Sequence, residues 1–245
     1  MTMKIAATAD IHSPKYLALF IRSLRTLKEK PSLLILAGDL VYKNRIEMLR
    51  PVVDAIHKML GNITIISVFG NEEFRDHEEG YVKKYPEITW LNDNYTVVQV
   101  DDLKIGFIGT RGALDKPTTW QLKNIPEIKE YYDTLPDKIA EIASTLKHHV
   151  NRVVLISHYG VTYRNLKGEP RHVWLHLAST KFEKLIEKGL FDIVIHGHAH
   201  NGLIEKITIG ETPVYNVSLP ARKKIVMIDI DQYTPQGLER WIFRR

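Results

Sequence analysis

The sequence of 245 residues predicts an α/β fold with two sheets, on three observations. Five short apolar runs rich in Ile, Val and Leu are polar only at their far ends. Helical patterns lie between them. The second half of the chain then continues with further strand-like runs.

In chain order, the five runs are MKIAATAD (3–10), SLLILAGD (32–39), ITIISVFGN (63–71), RVVLISH (152–158) and FDIVIHGH (191–198). Their near-continuous hydrophobicity is that of strands covered on both faces. The stretch 16–30, YLALFIRSLRTLKEK, has apolar positions at helical spacing, and in 139–150 Ile139, Ile142, Ala143, Leu146 and Val150 form one stripe, so both predict covering helices. Runs 95–100 and 104–109 predict a hairpin, and 202–209, 212–217 and 223–230 predict more strands. Two polar stretches are expected as long loops or small caps: 111–136, with Pro117, Pro126 and Pro136, and 159–176, with Tyr163, Arg164, Lys167, Arg171, His172 and Trp174. With no repeat, low-complexity segment or linker-like shift, 1–245 is expected to be a single domain.

Composition removes several function classes. With 44% apolar residues the chain can build a continuous core, and no window approaches the ~18 to 20 apolar residues of a membrane span. An acidic residue interrupts the short apolar start, a poor secretory signal, so a cytoplasmic protein is expected. Zero cysteines exclude disulfides, thiolate chemistry and Cys-ligated zinc. The net charge of +5 suits an anionic partner, but the basic residues are interspersed with acids, which argues against a dedicated nucleic-acid surface.

The polar strand ends carry Asp10 and His12, Asp39, Asn71, His158, and then His198 and His200. Carboxyl ends of strands are where loops of α/β sheets converge on ligands. Asp10 and His12 stand two apart, so an extended segment sends both side chains to one face. Gly38, Gly70 and Gly197 precede Asp39, Asn71 and His198, removing side chains where the backbone turns or passes close to something. Each residue alone has a bland reading as a helix cap or hydrogen-bonded structure; their recurrence at the ends of five runs points to a metal centre.

In order, DIH (10–12), GDL (38–40), GNEE (70–73), SHY (157–159) and GHAH (197–200) resemble the calcineurin-like metallophosphoesterase family over about residues 4 to 230. The resemblance implies a four-layer α-β-β-α sandwich of two mixed sheets flanked by helices, with a two-metal site at one edge. It places Asp10, His12 and His200 on one metal and Asn71, His158 and His198 on the other, with Asp39 bridging; His196 matches no ligand and is expected to be structural. Two divalent ions, of Mn, Fe, Zn, Co or Ni, are the implied cofactors. A shared carboxylate offsets the repulsion of ions ~3.5 to 4 Å apart, and a bridging water acidified to a pKa of about 7 becomes hydroxide for in-line attack on phosphorus.

The chain departs from the pattern at one place. Most relatives resemble GNH followed by an acid, whereas Glu72 stands here where that His lies near the leaving group, with Glu73 after it. A carboxylate beside two dications stays ionised and donates a proton poorly. If it faces the site, its repulsion of a substrate oxygen charge ~4 Å away is roughly 4 kcal/mol at an effective dielectric near 20, and monoester dianions suffer more than diesters. Alternatively, Glu72 turns outward to a surface base or caps a helix; Glu73 is expected to be helix N-terminal structure. Lys15, Arg111 and Arg222 are candidate substrate-binding bases or solvated surface charges, the two arginines being better suited to bidentate phosphate. The aromatics of 159–176 either stack a base or pack their loop.

The expected function is dimetal hydrolysis of phosphoesters, preferentially phosphodiesters, with Asp39, Asn71, Glu72 and His158 as the catalytic group. The substrate is expected to be a phosphorylated small molecule or nucleotide, with no membrane partner. The alternatives are a phosphatase or pyrophosphatase for small phosphorylated metabolites or nucleotides, or a non-catalytic metal-binding scaffold.

Overall fold

In the computed structural model, residues 3–100 and 102–230 are described, so the ends of the expected domain (1–2 and 231–245) and Asp101 lie outside the described residues. Strands β1 (Lys4–Thr8), β2 (Leu33–Ala37), β3 (Thr64–Val68) and β4 (Ile88–Leu91) lie parallel and adjacent in that order. The second sheet begins with the hairpin of β5 (Asn94–Val100) and β6 (Leu103–Thr110), to which β7 (Arg152–Ser157) and β8 (Ile193–His196) add in parallel. Antiparallel β9 (Lys206–Ile209) follows on parallel β10 (Thr212–Asn216), while β11 (Val226–Asp229) returns to the first sheet, antiparallel to β1. Both sheets are therefore mixed.

Side-chain alternation explains why the runs look uniformly apolar. Ile5, Ala7, Leu33, Ile35, Ala37, Val154 and Ile156 fill a core between the sheets. The intervening Ala6, Leu34 and Leu36 face α1 (Leu17–Arg25), α2 (Arg50–Leu60) and α3 (Glu78–Lys84), whose Phe20, Val53, Ile56 and Tyr81 complete a second core. Val153 and Leu155 face α5 (Ile128–Lys147) and α6 (Thr180–Glu187) in a third. Three apolar cores separate four layers, as the resemblance implied. Burial on both faces hides the period of two.

Two local expectations need correction. Helix α1 is shorter than 16–30, ending at Arg25, where Thr26 Oγ1 donates back to the Ser23 carbonyl at 3.0 Å. The stretch 111–136 is not one long loop: Thr118 opens the short helix α4 (Thr119–Asn124) with a capping box, its hydroxyl accepting from the Gln121 N–H at 3.2 Å, and α5 runs unbroken through Pro136. Proline removes a helical hydrogen bond at a cost of ~3 kcal/mol. Burying Ile128, Tyr132, Leu135, Ile139, Ala143 and Leu146 along one stripe, at roughly 1.5–3 kcal/mol for each large side chain, outweighs it. The loop expected over 159–176 is present, with one short 3-10 turn at Arg171–His176.

Candidate metal centre

The first sheet delivers Asp10, His12, Asp39 and Asn71 from the ends of β1, β2 and β3; the second delivers His158, His198 and His200 from the ends of β7 and β8. Donor atoms of Asp10, His12, Asp39 and His200 lie within 4.8 Å of one another, as do those of Asp39, His158 and His198. Asp39 belongs to both groups. Asn71 adjoins the second, its Oδ1 lying 3.1 Å from His158 Nε2.

The backbone is strained to achieve this. Asp10, His12, Asp39 and His198 all have positive φ, at 59°, 41°, 52° and 66°, a region that costs a non-glycine residue of order 1 kcal/mol or more. Between the two groups the main chains nearly touch. A Cβ on Gly38 would lie 2.6 Å from His158 Nδ1, and one on Gly70 would overlap Asp39, which is why those positions are glycine.

The chemistry of the donors fits a cation. His158 Nδ1 is 3.0 Å from the Ala37 carbonyl, so it carries the proton and Nε2 presents a lone pair. That lone pair faces Asn71 Oδ1 at 3.1 Å and Asp39 Oδ1 at 3.5 Å, so three acceptors converge. In the other group His12 Nε2 and His200 Nε2 lie 3.4 Å apart, with Asp39 Oδ2 3.5 Å from the first and Asp10 Oδ1 3.2 Å from the second. Asp10 Oδ1 and His198 Nδ1 are buried without a hydrogen-bond partner among the described residues. Lone pairs aimed at one another in a dry site are offset by a bound positive charge.

Ionisation follows the same logic. Burial, then the charges of Glu73 and Asp10, pushes Asp39 well above the usual carboxylate range. Burial also works to raise Asp10, but the His200 imidazole outweighs it and holds the carboxyl down, while His200 is raised by Asp10 against its own desolvation. Burial lowers His12, keeps His158 well below its ordinary value and takes His198 to about 4, so these imidazoles are neutral and able to bind metal.

The adjacent glutamates have opposite settings. Glu73 is fully buried and accepts four main-chain N–H groups, from Gly70 at 2.7 Å, Leu40 at 2.8 Å, Asp39 at 2.9 Å and Val41 at 3.1 Å. It is thus not a helix N-terminal residue: it ties the loop after β2 to the loop after β3. Glu72 is half-buried; its N–H donates to Asp39 Oδ1 at 2.8 Å, and its carboxylate accepts from the Lys43 N–H. Its carboxylate is thus spent on a main-chain N–H, and among the described residues it takes no surface base and caps no helix; its charge acts on both His12 and Asp39.

The three candidate bases separate. Arg111 is 4% exposed and spends its guanidinium on the carbonyls of Gly70 and Glu73, the latter at 2.9 Å, and on Glu78 at 2.5 Å. It braces the centre from behind and has no face for a phosphate. Arg222 is committed to the carbonyls of Gly202 and Leu203. Lys15 is exposed, its ammonium 4.9 Å from the centre of the Tyr16 ring. In 159–176, Tyr163 donates to Asp115 and Trp174 to the Glu169 carbonyl, packing the loop on Leu166, Ala178 and Ala199 rather than offering rings to a ligand. His196 is buried with Nδ1 donating to the Gly197 carbonyl at 2.8 Å and Nε2 accepting from Asn165 at 2.7 Å, a structural histidine as expected.

The family model described as calcineurin-like phosphoesterase matches residues 3–202. No curated protein gave a significant sequence match. Among solved structures, a phosphopantetheinyl hydrolase from Mycobacterium tuberculosis superposes with a TM-score of 0.63 at 14% identity, covering 92% of this chain and 96% of its own. The NAD nucleotidase of Haemophilus influenzae gives 0.56 at 18% identity over 91% of this chain and 46% of that one, so this chain spans about half its length. GAP50, the anchor in the inner membrane complex of Plasmodium, gives 0.57 at 12% identity over 90% and 72%. At these identities the likeness is one of fold, and the fold is shared by proteins with different tasks.

Proposed function

The chain belongs to the calcineurin-like phosphoesterase family, and on that premise we propose that it is a two-metal phosphoesterase that favours phosphodiesters. Asp10, His12 and His200 would hold one divalent ion and Asn71, His158 and His198 the other, with Asp39 shared between them. The single observation carrying this reading is that Asp39 is common to both donor groups. When bound, such a pair supplies Lewis acidity toward a water nucleophile and the phosphoryl oxygens. With Asp10 and Asp39 the only anions among the seven residues, two dications leave a formal surplus of about two positive charges, which attracts phosphate.

The residues of this chain do the rest. Asp39 is fixed by the Glu72 N–H, and Glu73 aligns the main chain on both sides of it, so the donors are preorganised. His158 is locked in one tautomer by the Ala37 carbonyl. Glu72 sets selectivity. Its carboxylate accepts from the Lys43 N–H and its charge acts on His12, so it repels doubly charged phosphate more than singly charged diesters.

Rates on an aryl diester, an aryl monoester and an alkyl monoester, across several divalent metals, test the reading. The diester is expected to be fastest in the wild type, with activity falling at least ~100-fold in Asp39→Asn and His158→Ala. A strong preference for the alkyl monoester contradicts it. The second reading, a phosphatase acting on nucleotides, is favoured by the nucleotidase among the similar structures and predicts that monoester preference.

A further inference from the structure

We propose that the open side of this centre is a subsite for the nucleoside part of a nucleotide, built from Tyr16 and Tyr42 with the ammonium groups of Lys15 and Lys43. The inference rests on the phosphoesterase reading of the centre and names its substrate class. Both tyrosine rings meet His12 edge-on, with centroids 6.3 and 6.5 Å away and interplanar angles of 69° and 70°. Each carries a lysine on its ring, Lys15 Nζ at 4.9 Å from the Tyr16 centroid and Lys43 Nζ at 5.2 Å from that of Tyr42. Tyr42 is 37% exposed, Tyr16 half-buried and both lysines exposed.

The rim is preorganised. Its two loops are joined through the main chain, Ser13 N–H donating to the Leu40 carbonyl at 2.8 Å and Tyr42 N–H to that of Ser13 at 3.1 Å. Tyr16 rests one side on the first core, but unlike Tyr81, Tyr85 and Tyr131, whose hydroxyls bond Asn44, the Ile46 carbonyl and Asp93, its hydroxyl is uncommitted among the described residues. Among the described residues, the hydroxyls of Tyr16 and Tyr42 and the ammonium groups of Lys15 and Lys43 take no hydrogen-bond or ion-pair partner. Lys15 reaches the centre electrostatically, its charge acting on both His12 and His200.

Phenol rings accept the π-face of any base, and lysine ammonium groups hold phosphate oxygens or base acceptors without demanding one geometry. A sugar phosphate would use the cations alone. A nucleotide uses the rings as well, with its phosphorus at the metals and its base on the rim. The loop at 159–176, where the sequence concentrates aromatic and basic residues, has its tyrosine and tryptophan tied into packing, which leaves the rings beside His12 for this role.

The test is calorimetric binding of AMP and of ribose 5-phosphate, which share a phosphate monoester and differ by the base, to metal-loaded protein, with aryl-diester turnover measured on the same preparations. Wild type is expected to bind AMP about tenfold more tightly. In Tyr16→Ala/Tyr42→Ala that margin narrows to within about twofold, and in Lys15→Ala/Lys43→Ala AMP binding weakens severalfold and loses part of its salt dependence. Equal affinity of the two ligands in wild type, which requires no variant to fold, overturns the proposal; so does a margin that survives in a folded double-tyrosine variant. Turnover with no AMP margin removes the subsite and leaves the hydrolase, whereas an AMP margin without turnover does the reverse.

Discussion

The floor of the centre and its rim are built from the same residue types and use them oppositely. On the floor, Glu73 and Arg111 are buried and every polar contact is turned to main chain or to Glu78. On the rim, Glu72, Lys15 and Lys43 are partly or fully in water, and the lysines lie on tyrosine rings. Glu72 and Glu73 are neighbours in the chain, yet one belongs to each region. On the proposed reading the difference separates what fixes the donors from what chooses the substrate: charges withdrawn from water set geometry, and those left in water are free to act on a ligand.

The contrast is broken most forcefully at Glu73. Replacing it by Ala leaves four main-chain N–H groups without an acceptor, and a destabilisation of about 3–5 kcal/mol with loss of both ions is expected. Denaturant unfolding and metal analysis of the purified variant measure both; a protein of wild-type stability that still binds two ions removes the floor's assigned role. Arg111→Ala is expected to cost about 3 kcal/mol, because it leaves the part-buried Glu78 carboxylate with the Asn92 amide alone and frees the Gly70 and Glu73 carbonyls in a dry region. Equilibrium unfolding checks this.

Titration offers a gentler probe of buried structure. His196 has its folded-state value lowered to about 4 by burial, against 6.5 when unfolded, so the unfolded chain binds the extra proton first. Its contribution to stability is fully present above about 6.5 and is lost as pH falls through that window toward about 4, by about 3 kcal/mol. Unfolding midpoints of metal-free wild type and His196→Gln, compared across this range, separate it from the other buried histidines, and identical profiles contradict the buried neutral assignment. The smallest effect belongs to the rim. Glu72→His is expected to change stability by less than about 1 kcal/mol while moving the ratio of alkyl-monoester to aryl-diester rates about tenfold toward the monoester. A large loss of stability with no change in that ratio would place Glu72 with the floor.

The donors were legible because each sits at the end of an apolar run, where chain order and strand ends together define one edge. Asp10, Asp39, Asn71, His158, His198 and His200 converge because parallel strands end together. Glu73 was legible as structural but not in its role: its partners Asp39, Leu40 and Val41 lie more than thirty residues away, and the sequence holds no periodicity for such a contact. Arg111 misled for the same reason, since a guanidinium near a strand end has the same letter whether it holds phosphate or carbonyls. The prolines of 111–136 masked the start of α5, although Ile128, Tyr132, Leu135 and Ile139 already carried its buried stripe. Tyr16 and Tyr42 follow DIH by four residues and GDL by two, and their place at the rim is not legible because an aromatic residue there reads equally as core.

The central claim is that one carboxylate, Asp39, is shared between two cations. Anomalous diffraction from crystals grown with manganese tests it most directly. Two peaks ~3.5 to 4 Å apart with the Asp39 side chain between them are the predicted result. A single peak, or two that do not both contact Asp39, would contradict it.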